Sequence, residues 1–286
     1  MKFPISTLLA LTATVALFGC GKGGPLNSEV IGNMVGGQTG QLIKAGGHLA
    51  NAAAMSEKDE DALGQAAGVA LTNQYGIYND GTREQKTLKY VTMVGLTVAS
   101  ASPNPNGNYV FGILNTTEVN AFSGPNGYVF ITYGLLRELK NEAELAGVLA
   151  HEIAHVCAHH GLHQVQAEET KGAAAEALKA AQGDAAQAAA ALSMGVDVLT
   201  KKAYTQPQEF EADQEGVKIM AAAGYDPSAY QAFLQRLQTQ GAAGGGKLMS
   251  THPGIASRVS KVSSEVASMK PGGVRLAPRF AKVLSR

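Results

Sequence analysis

The sequence has no tryptophan, only two cysteines among 286 residues, and few aromatic side chains of any kind. Two cysteines cannot build the bridged framework of a small secreted scaffold. Neither sign of charge is in excess, with 23 basic against 23 acidic residues, so the basic surface that a nucleic-acid partner requires is not expected. Beyond the N-terminal region no apolar run is long enough to cross a bilayer. What is abundant is glycine, at 34 residues, together with recurrent alanine-rich runs. That composition favours closely packed helices with glycine-rich connections over a β-sandwich, and the length suits one large domain or two small ones.

The N-terminus reads as a targeting signal. Lys2 gives a basic start, and Ile5–Phe18 is an uncharged apolar run too short to span a membrane. It ends in Leu17-Phe18-Gly19-Cys20, which resembles the lipobox of bacterial lipoproteins, where the cysteine becomes the lipid-modified first residue of the mature chain. An ordinary secretory signal with an incidental cysteine is the alternative. Gly21 follows in place of the aspartate that would mark retention in the inner membrane, so the expectation is an outer-membrane lipoprotein facing the periplasm of a Gram-negative bacterium. With Cys20 lipidated, Cys157 has no partner for an intrachain disulfide and is expected to be a small buried apolar residue. Residues 1–19 are then the signal peptide, and 20–55 a lipid-anchored tether with a glycine-rich helical arm. Residues 56–270 form the compact domain, and 271–286 a C-terminal tail.

The chemistry concentrates in Leu149–His163, LAHEIAHVCAHHGLH. His151 and His155 are one helical turn apart and project from one face, a spacing that suits a Zn²⁺ ion taking imidazole nitrogens. Glu152, about 100° round the helix, can reach the reaction centre without occupying a coordination position, as a general base must. Such a five-residue pattern also arises by chance on helix surfaces. Here Leu145, Val148, Leu149, Ile153 and Val156 give the helix a large apolar face, and polar groups held in it need partners that a metal can supply.

Helices are expected from Ser56 to about Tyr75 and over Gln85–Ala101, where apolar residues recur every three or four positions. The strand candidates are Tyr109–Asn115, Glu118–Phe122 and Tyr128–Tyr133, with Ser123–Gly127 as the turn. The hairpin either lends an edge to an extended peptide or simply packs on helices. An alanine-rich helical region spans Gln164–Thr200, broken at Gly183-Asp184. Downstream, Glu209 and Asp213 share one face of a helix that Pro207 opens. Glu209 could complete a His₂Glu set and Asp213 could accept the ring N–H of a ligating histidine, unless both merely decorate a solvated first turn. The glycine-rich Gly241–Gly246 then delivers Ser250-Thr251-His252-Pro253 and a short helix bearing Arg258, either a cover over bound substrate or a surface loop.

Together these pieces resemble the M48 family of zinc metallopeptidases, in its bacterial lipoprotein branch. The likeness covers roughly Ser56 to Met269. It rests on Asn120-Ala121-Phe122 with Pro125 and Gly127, on Gly134-Leu135-Leu136, on HEIAHV with His160, on E-x-x-A-D at Glu209, Ala212 and Asp213, and on T-H-P with Arg258. One departure is Gln206, where relatives often carry arginine three residues before the ligand glutamate. A metzincin pattern fails, since Ala158 and Gly161 stand where it needs glycine and histidine.

The resemblance implies a mainly α fold with a small β-hairpin (α+β), its active-site helix packed against a short antiparallel sheet. It implies one Zn²⁺ per chain on His151, His155 and Glu209, with Glu152 as catalytic base and His252 assisting near the metal. Asp213 and Arg258 would support the ligands, and Asn120, Ala121, Phe122 and Gly127 would meet the substrate. The function implied is cleavage of misfolded or misassembled envelope proteins. A chaperone-like assembly factor with latent or structural zinc, closed by His252, is the alternative.

Overall fold

In the computed structural model, residues 57–82, 85–170, 195–241, 251–270 and 272–284 are described. The signal peptide, Cys20, the glycine-rich arm, most of the alanine-rich region and residues 242–250 of the glycine loop lie outside them. Nine helices take labels here: α1 (Glu57–Tyr75), α2 (Lys86–Ala99), α3 (Tyr133–Glu138), α4 (Glu142–Cys157), α5 (His160–Thr170), α6 (Gln206–Ala222), α7 (Pro227–Gly241), α8 (Ile255–Ser268) and α9 (Ala277–Val283). Three strands, β1 (Val110–Leu114), β2 (Ala121–Gly124) and β3 (Tyr128–Thr132), form one sheet in the order β1-β3-β2. The mainly helical α+β class expected from sequence is the class observed. Among the described residues no helix is long and apolar enough to cross a membrane.

The sheet is mixed rather than purely antiparallel. β2 and β3 form the expected antiparallel hairpin, but β1 joins the other side of β3 in parallel register, Val110 opposite Tyr128 and Leu114 opposite Thr132. β3 is therefore central and buried along its whole length. Its alternation feeds two cores. Tyr128 and Phe130 pack with Leu71 of α1, Leu114 and Phe122 on one face, while Val129 and Ile131 join Phe111, Ile113 and Ala121 against α2 and α4 on the other.

The hairpin differs from expectation by a register detail with chemical consequences. Ser123 and Gly124, assigned by sequence to the turn, continue the strand opposite Val129 and Tyr128. The turn is only Pro125-Asn126-Gly127, with Asn126 at φ 57° and Gly127 at φ 91°. A side chain at Gly127 would in addition collide with the Asn108 carbonyl.

α4 is the axis of the domain. Asn141 caps it by accepting from the Glu144 N–H at 3.0 Å, Glu142 and Glu144 complement its N-terminal dipole, and every residue from Glu142 to His155 is buried. α6, α7 and α8 pack beyond α4, away from the sheet, and α6 opens with a capping box between Thr205 and Gln208. The helix carrying Arg258 is not short: it runs fourteen residues. Cys157, expected to be buried, is half-buried, and its thiol lies 3.6 Å from the Tyr109 hydroxyl.

Residues 277–283, placed by sequence in the tail, pack into the same core. Phe280 is buried, and the Arg279 guanidinium binds the fully buried Glu142 carboxylate at the start of α4. Tyr90 and Tyr225 donate to the same carboxylate at 2.5 and 2.8 Å. Burial raises the Glu142 pKa, but Arg279 and the two phenols outweigh it and hold the group below the usual carboxylate range. A carboxyl depressed in the folded state stabilises fully above its unfolded pKa, and that contribution is lost as pH falls through the folded value. Glu142→Gln is expected to cost about 1–2 kcal/mol at neutral pH, since the phenols and the half-exposed Arg279 lose hydrogen bonds to a charged acceptor. It should also flatten the loss of stability below about pH 4.5. Denaturant unfolding from neutral to acidic pH checks both.

Candidate metal centre

Where α6 crosses α4, its contact face reads Glu209, Ala212, Asp213, Gly216, all positions one or two turns apart. The small residues let the helices close up. A Cβ on Gly216 would stand 3.0 Å from the His151 backbone nitrogen and 3.1 Å from its Cα. That close approach carries the Glu209 carboxylate, at the N-terminal end of α6, onto the two histidines of α4.

The result is one buried cluster of His151, His155, Glu209 and His252, one ligand atom from each lying within 4.8 Å of the others. His151 Nε2 is 3.1 Å from His155 Nε2 and 3.3 Å from His252 Nδ1. Glu209 oxygens are 2.9 Å from His252 Nδ1, 3.5 Å from His155 Nε2 and 3.6 Å from His151 Nε2. Four donors around zinc at about 2.0–2.1 Å would be about 3.3 Å apart at tetrahedral edges, so the residues present fit that ion. Burial holds the His155 pKa well below its ordinary value despite its bond to Glu209, with His151 and His252 adding to the depression, so the ring is neutral and able to ligate. Burial opposes ionisation of Glu209 too, but His252 and Arg258 hold its carboxyl far below the usual range.

A surrounding layer fixes these groups. Asp213 Oδ1 is 3.0 Å from His151 Nδ1, the ring nitrogen facing away from the cluster. Arg258, 3% exposed, donates to both Asp213 oxygens at 2.7 Å, and its guanidinium is 2.6 Å from Glu209. Tyr230 donates to Asp213 at 2.9 Å. Burial disfavours charge on Asp213, but Arg258 and His151 reverse that and keep it ionised. Gln206, at the position where relatives often carry arginine, ties the start of α6 to α8 through Ser257 at 2.9 Å.

The hairpin supports the site mostly through packing. The Asn120 side chain accepts from Thr251 at 3.0 Å and so holds the segment carrying His252. Ala121 joins the main core, Phe122 joins Leu71 and Phe130, and Gly127 makes the turn. β2 is the edge strand of the sheet, so one side of its main chain lies beyond the ladder with β3.

Three further side chains contact the cluster, of which only His160 figured in the sequence pattern. His160 is buried, with Nδ1 2.8 Å from His155 Nδ1 and its other nitrogen 3.3 Å from Glu211. Tyr204 stacks on His155 at a centroid distance of 3.9 Å, and its hydroxyl donates to the Ser123 carbonyl at 3.3 Å. Ser123 donates to Glu152 Oε2 at 2.7 Å. His160 was marked by its place five residues after His155 in the motif stretch; nothing local marked the other two. His159, by contrast, lies past the end of α4 at φ 51°, exposed and paired with Glu60.

Two histidines and a glutamate on crossing helices, with a further glutamate beside them, form a zincin-type metal site. Residues 84–266 match peptidase family M48, and the chain belongs to that family. It is 29% identical over 203 residues to the beta-barrel assembly-enhancing protease of Escherichia coli, covering 67% of this chain and 41% of that protein. It is 26% identical to Metalloprotease YcaL of the same organism, over 83% of this chain and 92% of that one. A mitochondrial metalloendopeptidase OMA1 of Arabidopsis thaliana matches 49% of this chain at 29% identity. The chain thus spans about two fifths of the length of the assembly-enhancing protease.

Gly216→Val should force the two helices apart, with bound zinc falling below a tenth of an equivalent per chain by elemental analysis. Asp213→Ala should weaken zinc affinity by about 10–100-fold in competition with a chelating dye.

Proposed function

We propose that this protein is a zinc-dependent endopeptidase that cuts misfolded or misassembled proteins of the bacterial envelope. The observation that carries the proposal is the convergence of Glu209 with His151 and His155 while Glu152 stays outside the ligand set, buried and adjacent. His151, His155 and Glu209 would hold the ion. Zinc bound there would polarise a scissile carbonyl and acidify water. Glu152 takes the proton from the attacking water and passes it to the leaving amine. Asp213 keeps the His151 ring oriented, and Arg258 compensates the charge of Glu209 and Asp213 within an apolar surround. His252, near both Glu152 and the ligands, stabilises charge as the tetrahedral centre forms. β2 is the edge strand nearest Glu152, and an extended peptide that displaced Tyr204 from the Ser123 carbonyl could pair there, which suits a substrate that has lost its fold.

The substrate class and the place in the cell rest on kinship and on the N-terminal sequence. The relatives named for β-barrel assembly support substrates from the envelope, and the Cys20 lipobox supports a lipid anchor on the outer membrane facing the periplasm. Proteolysis of an unfolded casein-type substrate tests the activity: Glu152→Gln should lower kcat by at least about a thousandfold with zinc retained, given the weight of general-base catalysis and water positioning together. Equal cutting by wild type and Glu152→Gln would end the proposal. Glu209→Ala should lose the metal.

A second reading has its own observation. His252 lies at ligand-like distance from both His151 and Glu209, so four protein donors could close the coordination shell and leave the zinc latent, as an assembly factor would have it. Higher activity in His252→Ala than in wild type supports latency; loss of activity supports the catalytic role.

A further inference from the structure

Glu152 is 1% exposed, and its two oxygens face different neighbours. Oε2 accepts the Ser123 hydroxyl at 2.7 Å, whereas Oε1 faces His252 Nε2 at 3.6 Å, within the cluster. The hydroxyl reaches it because β2 continues through Ser123: Phe122 points to the α1 side of the sheet, and its neighbours Ala121 and Ser123 point to the α4 side. Ala121 fills the same face with a methyl group alone, so packing there does not require a hydroxyl. The hydroxyl of Ser123, itself 5% exposed, is directed at the carboxylate.

We propose that Ser123 is a positioning residue for the general base, holding one oxygen of Glu152 so that the other is presented to the attacking water. This rests on the peptidase reading above. A glutamate has three side-chain torsions, and a carboxylate with neither oxygen held can swing its proton-accepting atom out of line. Pinning Oε2 fixes both the position and the plane of the group before substrate arrives. The same residue lies in the edge strand, so its hydroxyl ties the base to that strand, and its carbonyl, held by the Tyr204 hydroxyl, fixes the strand at this point.

Ser123→Ala is expected to lower kcat by about 10–100-fold with KM within about twofold and zinc content unchanged, as a displaced catalytic group does. Ser123→Thr, which keeps the hydroxyl, should recover most of the loss. A second measurement needs no activity: thermal unfolding of the metal-free protein in a double-mutant cycle. Ser123→Ala should lower Tm in the wild-type background and leave it unmoved in a Glu152→Ala background, because the lost bond is then already absent. Wild-type kcat in Ser123→Ala, or equal Tm shifts in both backgrounds, would overturn the role of Ser123 while leaving the peptidase reading standing. Equal cutting by wild type and Glu152→Gln would instead remove the peptidase reading, and this inference with it.

Discussion

The site depends on how closely two helices can approach. α4 supplies the histidines and α6 the carboxylate, and neither contains enough to hold an ion. Gly216 and Ala212 permit the contact, because a glycine against the His151 backbone leaves no side chain to separate the axes. Close packing of this kind is stiff: atoms in a filled interior have few alternative positions, so the ligand geometry is set before any metal arrives. The polar residues follow from the same contact, since Glu209 and Asp213 are simply the residues of α6 that face α4 one turn apart.

Such a crossing buries a great deal of charge. Glu209, Asp213, Arg258 and Glu152 are all nearly inaccessible, and each would be costly alone. The structure answers with pairing: Arg258 spans both carboxylates, Tyr230 and His151 take the remaining contacts of Asp213, and Ser123 serves Glu152. The arrangement resists loss of one member more than it rewards the presence of all, which is the usual balance for buried ions. It also separates roles. The charges of α6 are neutralised from α8, while Glu152 on α4 is held from the sheet. Orientation of the Glu209–Asp213 pair and orientation of Glu152 are therefore set by different parts of the fold.

How much of this was legible in the sequence follows from distance along the chain. H-E-x-x-H and E-x-x-A-D are local patterns, and a helix converts their spacing directly into a shared face, so His151, His155, Glu209 and Asp213 could be singled out before any coordinates. The helices α1 and α2 came within two residues at each end, since capping and three- or four-residue periodicity are local too. The sheet was harder. β1 pairs in parallel with a strand it does not adjoin in sequence, and periodicity carries no information about such a partner. Ser123 was read as a turn residue because Ser-Gly-Pro-Asn-Gly is turn-like throughout; pairing with Val129 drew its first two residues into the strand. Tyr204 reaches His155 from a segment with no motif, and Phe280 belongs to a stretch whose composition looks like a tail. These contacts arise from tertiary proximity, which no window on the sequence can register.

The clasp between Arg279 and Glu142 has a temporal side. The carboxylate at the start of the helix that carries the two histidines finds its guanidinium 137 residues later. Until that stretch emerges, the helix begins with a buried anion that only two phenols can solvate. Completion of the central helix is thus tied to arrival of a segment more than a hundred residues downstream, and a nascent chain that has not reached Arg279 lacks the finished scaffold on which the histidine cluster sits.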